Sequence, residues 1–154
     1  MMPSAVWDLF SITTCANGRV KVEGTWDLTH DPSITTLDGC NEIIAGICTA
    51  GSRIDELISE CQKTSMSKAV MIDQVGTWAV QQVMITLVDS INRTIPEKTA
   101  RFTPVIRPGF EKWPISNQSL LFSMLDASRI GVKLTTSLLM VPSKSISFII
   151  GIKR

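Results

Sequence analysis

The chain has 154 residues, 44% hydrophobic and 19% charged, with 15 Lys and Arg against 14 Asp and Glu. That balance excludes an intrinsically disordered segment and suits a single globular domain, residues 1–154, able to bury a sizeable core. A net charge of +1, with no Lys/Arg block, leaves no field to recruit nucleic acid or an acidic membrane surface.

Cys15, Cys40, Cys48 and Cys61 are scattered, none forms a Cys-x-x-Cys, and His30 is the only histidine. Zinc and iron–sulfur sites need tighter ligand clusters, so the expectation is free thiols in a reducing compartment. The N-terminus has no basic region followed by an apolar run, so no secretory signal is visible and a cytoplasmic setting is expected.

In chain order, Ala5 to Thr13 favours a strand, Asn17-Gly18 tolerates positive φ, and Arg19 to Glu23 alternates. Together they predict a hairpin. Trp26 to Asp31 reads as loop, with His30 in an exposed turn. Ser33 is placed to cap a short helix ending at Gly39. Glu42 to Thr49 is a short apolar run, consistent with a buried strand. Gly51-Ser52 then opens a helix with Ile54, Leu57, Ile58 and Cys61 at helical spacing.

Lys68 to Ile91 is the longest periodic segment, with Ile72, Val75, Ala79, Val83, Leu87 and Ile91 on a 3.6-residue repeat. Its length, roughly 36 Å at 1.5 Å per residue, raises a membrane-spanning alternative. Asp73, Gln74, Gln81, Gln82 and Asp89 interrupt it, so a central core helix is expected. A half-buried Asp73 would need a partner, and Gly76 permits close approach of a strand or ligand. Ser90 to Ala100 reads as a polar connector. Ser116 should cap a helix to about Ser128, Gly131 to Met140 should be a strand, and Val141 to Lys144 a turn. In the closing strand Ile146, Phe148 and Ile150 alternate with Ser145 and Ser147, which places the serines on a solvent face or a ligand. The whole predicts an α+β fold with a mostly antiparallel twisted sheet, a long central helix and flanking helices.

No G-x-S-x-G, H-E-x-x-H, G-x-G-x-x-G or phosphate-loop pattern occurs, and no Cys/His nucleophile pair follows from spacing. The chemistry concentrates instead between Arg101 and Ile115. Two arginines, three aromatics (Phe102, Phe110 and Trp113), glycine and proline make a mixture more typical of a binding loop than of a plain connector. Arginine offers a planar fork for a carboxylate, and Pro108-Gly109 allows a tight bend. Both arginines can equally be surface charges, and Phe110 and Trp113 can be loop anchors.

The run P-G-F-x-x-W-P-I-x-x-Q from Pro108 to Gln118, followed by I-G-V-x-L-T-x-S-x-x-M-x-P-x-K-S-I-S from Ile130 to Ser147, resembles the activation domain of vitamin B12-dependent methionine synthase. Its stand-alone relatives are the nearest likeness, and the resemblance extends upstream through Leu37 to Gly51. It implies an accessory module that binds S-adenosylmethionine and works with cobalamin held by another protein, a corrinoid-binding protein or methyltransferase, with an electron donor as a further partner. Such a module is part of a methyl-transfer system rather than a self-sufficient enzyme, and it has no catalytic side chain of its own. The implied cofactor-binding residues are Arg101, Arg107, Pro108, Gly109, Phe110, Ser145 and Ser147. Either arginine can be the family's carboxylate arginine, and R-F-T-P favours Arg101. The chain departs from the family at Phe110, where a tyrosine is usual, at Thr136, where a glutamate is usual, and in the extra residues Val105 to Pro108. It lacks D-x-H-x-x-G, which gives cobalamin a histidine ligand. Those departures support a rival, a scaffold that no longer binds the ligand; an independent small-molecule methyltransferase lacks the expected nucleotide loop.

Overall fold

The computed structural model describes residues 2–95 and 100–154. The chain folds as two compact units: Met1–Val6, Ile47–Pro96 and Ala127–Ile146 form the helical unit, and Trp7–Gly46, Glu97–Asp126 and Ser147–Arg154 form the strand unit. The α+β class with an antiparallel sheet is the one expected, and the strand order is β3 (Trp26–Thr29), β2 (Arg19–Val22), β1 (Ser4–Ala16), β4 (Glu42–Thr49), β8 (Ser145–Lys153), β5 (Arg101–Phe102).

In the strand unit, the end of β1 (Ser4–Ala16) and β2 (Arg19–Val22) form the expected hairpin, with Cys15 opposite Val20 and Ala16 opposite Arg19. Asn17 and Gly18 close it at φ 53 and 76, the doubly positive turn whose twist matches the strands. Trp26 to Asp31 is not simply loop: β3 (Trp26–Thr29) pairs with β2, burying Leu28 opposite Val20. Four residues are too few for alternation to stand out in sequence. The helix expected from Ser33 to Gly39 is absent. There the Ser33 amide and hydroxyl both donate to Asp31 Oδ1, at 2.8 and 2.6 Å, making a side-chain turn that competes with helix initiation.

Strand β4 (Glu42–Thr49) has the expected bounds, and β8 runs Ser145–Lys153. The Asn41 amide donates to the Ile152 carbonyl, and the Ala50 amide to Lys144, so the two strands run antiparallel. Both are buried on both faces, which accounts for the continuous apolar run in β4. It also corrects the reading of β8: Ser145 and Ser147 are buried rather than solvent-facing. Gly46 faces the Phe148 ring so closely that a Cβ there would stand 2.3 Å from Cζ.

In the helical unit, α1 (Arg53–Gln62) follows Gly51, whose φ is +94. Ser52 makes no side-chain cap; instead the Asp55 carboxylate accepts from the Ser143 amide at 2.7 Å and from its hydroxyl. Helix α2 (Met66–Thr94) is longer than its periodic segment, and Ser65 Oγ accepts from the Lys68 amide at its start. It buries a single stripe that includes Ala69, Gly76, Ala79, Val80 and Ile91, while Val70, Met71, Val75 and Trp78 are exposed. The expected core helix is therefore an amphipathic covering helix. Gly76 admits Ile54, whose Cγ2 lies 2.7 Å from where a Cβ would stand, and Asp73 is exposed and paired with Lys144 Nζ at 2.7 Å.

The connector expected from Ser90 begins later, because Ser90 to Thr94 remain helical; residues 96–99 lie outside the described residues. Among the described residues, no helix is long and apolar enough to cross a membrane. The helix expected from Ser116 to Ser128 breaks into α3 (Asn117–Met124) in the strand unit and a 3-10 turn (Ala127–Ile130) in the helical unit, with no cap bond from Ser116. The expected strand from Gly131 to Met140 folds back on itself. Its ends pair as β6 (Lys133–Leu134) and β7 (Met140–Val141), around a turn in which Leu138 takes φ 63.

Candidate functional site

The arginine loop belongs to the strand unit. Its first residues are not loop but β5 (Arg101–Phe102), paired to the end of β8 with Arg101 opposite Lys153 and Phe102 opposite Ile152. Thr103 Oγ1 then accepts from the Gly151 amide at 2.8 Å, and Ile106 exchanges two 2.8 Å backbone bonds with Ile149. The chain from 101 to 106 is thus fixed along the β8 edge.

Beyond that edge the bend closes on itself. The Gly109 amide donates to the Trp113 carbonyl at 2.9 Å, and the Trp113 amide to Phe110 at 3.1 Å. Gly109 takes φ +87, and Ile115 Cδ1 sits 2.9 Å from a Cβ built there, so only glycine fits. Ile106, Pro108 and Trp113 are buried beneath the bend, and the Trp113 ring packs against His30 with centroids 4.7 Å apart. On the rim, Phe110 remains 55% exposed, with the Arg107 guanidinium carbon 4.4 Å from its ring centroid, a cation–π pair.

Two adjoining recesses open here. One, about 380 Å³, is lined by Arg107, Phe110, Glu111 and Trp113; the second, about 450 Å³, by Arg101, Lys153, Thr35 and Thr103. They share Thr36 and Pro104 as a common wall. Volumes of this order suit a small-molecule ligand.

Sequence therefore named part of this surface. Arg101, Arg107 and Phe110 line the recesses, whereas Pro108 is buried and Gly109 shapes the bend. The two serines serve the interior instead. Ser147, in the strand unit, is 3% exposed and donates to Gln118 Oε1 at 2.9 Å. Ser145, in the helical unit, bonds Thr49 Oγ1 at 2.9 Å and the Pro142 carbonyl at 2.7 Å. Thr136 is exposed in the β6–β7 turn of the helical unit. Lys153, Thr35 and Thr36 escaped the sequence reading: strand register sets Lys153 opposite Arg101, Thr35 and Thr36 come from the irregular segment between β3 and β4, and no local motif signals either.

Other features are poorer candidates. A recess of about 340 Å³ holds Cys15, His30 and Asp38. Burial, followed by the Asp38 carboxylate, pushes the Cys15 thiol up, away from the reactive thiolate. His30 Nδ1 lies 2.8 Å from the Asp31 carbonyl. None of the four cysteines is in a disulfide, and among the described residues no group of His, Cys, Asp and Glu could hold a metal. A groove of about 510 Å³ beside Trp78, Val83 and Leu87 in the helical unit has no charged residue in its lining. Volume alone does not make it the better site, since a charged ligand needs convergent polar groups.

No protein-family model and no curated protein matches this chain. Among solved structures it is similar to a crystal structure of the MetH reactivation domain bound to AdoHcy, with a TM-score of 0.71 and 16% identity. The match covers 97% of this chain and 58% of that one, so the chain spans little more than half the length of its structural neighbour. The fold is that of a reactivation domain.

Proposed function

We propose that this chain is an accessory module that binds S-adenosylmethionine in the paired recesses and docks a corrinoid-carrying protein during reductive remethylation of cobalamin. The observation that carries the reading is the arginine-lined recess pair on a fold whose solved neighbour is bound to AdoHcy.

The residues fit that ligand. Its carboxylate suits an arginine fork at Arg101 or Arg107, its ammonium suits Glu111, and its flat base suits the exposed Phe110 ring. When bound, it would supply an electrophilic methyl group. The chain's own part is to hold and orient that donor, with the corrinoid chemistry left to the partner. Corrinoid does not fit this chain as a resident group: its single histidine is half-buried against Trp113, with Nδ1 beside a backbone carbonyl. Cobalamin would come on a corrinoid-binding protein or methyltransferase, with an electron-donor protein as a further partner. The cytoplasm is the setting we assign, which suits four cysteines outside any disulfide.

One observation favours a second reading, a scaffold that no longer binds the ligand: the Phe110 ring occupies a face of the Arg107 guanidinium. Calorimetry with S-adenosylmethionine decides between them. Binding by the wild type that is weakened in Arg101→Ala or Arg107→Ala supports the first reading; no heat with the wild type overturns it in favour of the scaffold.

A further inference from the structure

From the outer face of α2 we infer that two copies of this chain associate through an antiparallel pairing of that helix, centred on Trp78. The inference concerns the helical unit alone and is independent of the ligand reading.

The inner stripe of α2 buries Ala69, Gly76, Ala79, Val80 and Ile91. A second stripe faces outward, and it is apolar where a solvated face should be polar. Half of the large apolar side chains left exposed among the described residues stand on this helix. Met71, Val75, Trp78, Gln82 and Ile85 follow one another at alternating steps of four and three residues, and all five are exposed, Trp78 at 63%. That spacing is the repeat by which two helices pack along a seam. Residues 68–89 hold a single cation, too few to suit an anionic membrane surface.

Charge and symmetry choose a second copy as the occupant. Lys68 continues the seam at its start and Asp89 at its end, and both are exposed. Among the described residues neither makes an ion pair. A cation in the first turn and an anion toward the far end both oppose the dipole of their own helix. A second α2 laid antiparallel reverses that. Met71 and Ile85 each lie seven residues from Trp78, while Lys68 and Asp89 lie ten and eleven residues away on opposite sides. A twofold axis at Trp78 therefore sets this tryptophan on its own copy, Met71 on the partner's Ile85 and Lys68 against the partner's Asp89, the last two contacts occurring twice. A parallel pair would instead oppose like charges at both ends. Gln82 falls opposite the partner's Val75, and one polar residue within such a seam fixes its register. Tryptophan at the centre of a patch is a residue type that anchors interfaces. The apolar groove that shares Trp78 and Gln82 with the seam extends the surface on one flank.

Analytical ultracentrifugation of the full chain, with no ligand added, tests this. At about 0.1 mM, roughly a hundredfold above a micromolar Kd, the wild type should sediment at twice its 16.9 kDa chain mass. Trp78→Glu, with its fold checked by circular dichroism, should weaken the dimer about a hundredfold, because one substitution strikes both sides of the central contact. Lys68→Glu should weaken it about tenfold by turning two attractions into two repulsions. Adding Asp89→Lys to that variant should restore wild-type association, since opposite charges again face each other across an antiparallel seam. A wild type that stays monomeric, or a dimer indifferent to Trp78→Glu, overturns the proposal. So does a double variant that associates no better than Lys68→Glu, which excludes the antiparallel register. A monomer that floats with phosphatidylcholine vesicles would assign the face to a lipid surface and overturn it as well.

Discussion

Strand β8 and the loop from Arg101 to Trp113 run side by side, and they use their polar residues in opposite ways. In β8 the serines are buried and their hydroxyls are satisfied by Thr49, Pro142 and Gln118. In the loop the arginines and Phe110 stand at the rim of open recesses, over a buried floor of Ile106, Pro108 and Trp113. A buried hydroxyl must find a partner inside the protein and has none left for a ligand. The rim has no such obligation, and that is where binding chemistry can accumulate.

The contrast can be broken most forcefully at Phe148. Truncating it to alanine should cost about 4 kcal/mol, the range for a fully buried phenylalanine, lowering Tm by roughly 10 °C in calorimetric scans. Gly46→Ala should cost about 2 kcal/mol by overpacking against that ring, and its cost should shrink in the Phe148→Leu background because the two sites share one space. A full additive cost would mean that Gly46 is there for another reason.

Ser147→Ala sharpens the comparison. Removing the donor to Gln118 should cost about 1–2 kcal/mol in urea denaturation, with S-adenosylmethionine affinity unchanged by calorimetry. Arg107→Ala should behave in the reverse manner: stability within about 0.5 kcal/mol of wild type, and weakened ligand binding. If the serine variant lost affinity while the arginine variant lost stability, the division between interior and rim would be wrong.

The smallest effect lies in the turn before the recess. The Ser33 hydroxyl, and then its amide, hold the Asp31 carboxyl below the usual aspartate range. A depressed folded value means that this favourable interaction is present above the ordinary carboxylate range and is lost as pH falls through the lowered value. Carbon-detected NMR titration should find the Asp31 midpoint below that of an ordinary aspartate, and Ser33→Ala should move it upward.

Much of the fold was legible because period and turn chemistry carry it: the Asn17-Gly18 hairpin, β4 and the long helix each left a local mark. What escaped was set by tertiary pairing. The residues of β3 acquire strand structure by pairing with β2, and Ser33 is held in a side-chain turn by the Asp31 carboxylate where a helix was expected. At the site, Arg101, Arg107 and Phe110 were visible as residue types suited to a ligand. Ser145 and Ser147 misled because alternation in β8 does not reveal that both faces are covered. Lys153 was invisible because its meaning depends on Arg101 lying opposite.

The central claim is that the ligand occupies the recesses under the arginine loop, and the four tryptophans report on it directly. Trp113 lines the Arg107 recess, whereas Trp78 lines the uncharged groove of the helical unit. With indole N–H signals assigned by single Trp→Phe variants, S-adenosylmethionine should shift the Trp113 resonance in a saturable manner and leave Trp78 in place. Movement of Trp78 with Trp113 unchanged, or no movement at either, would contradict the account.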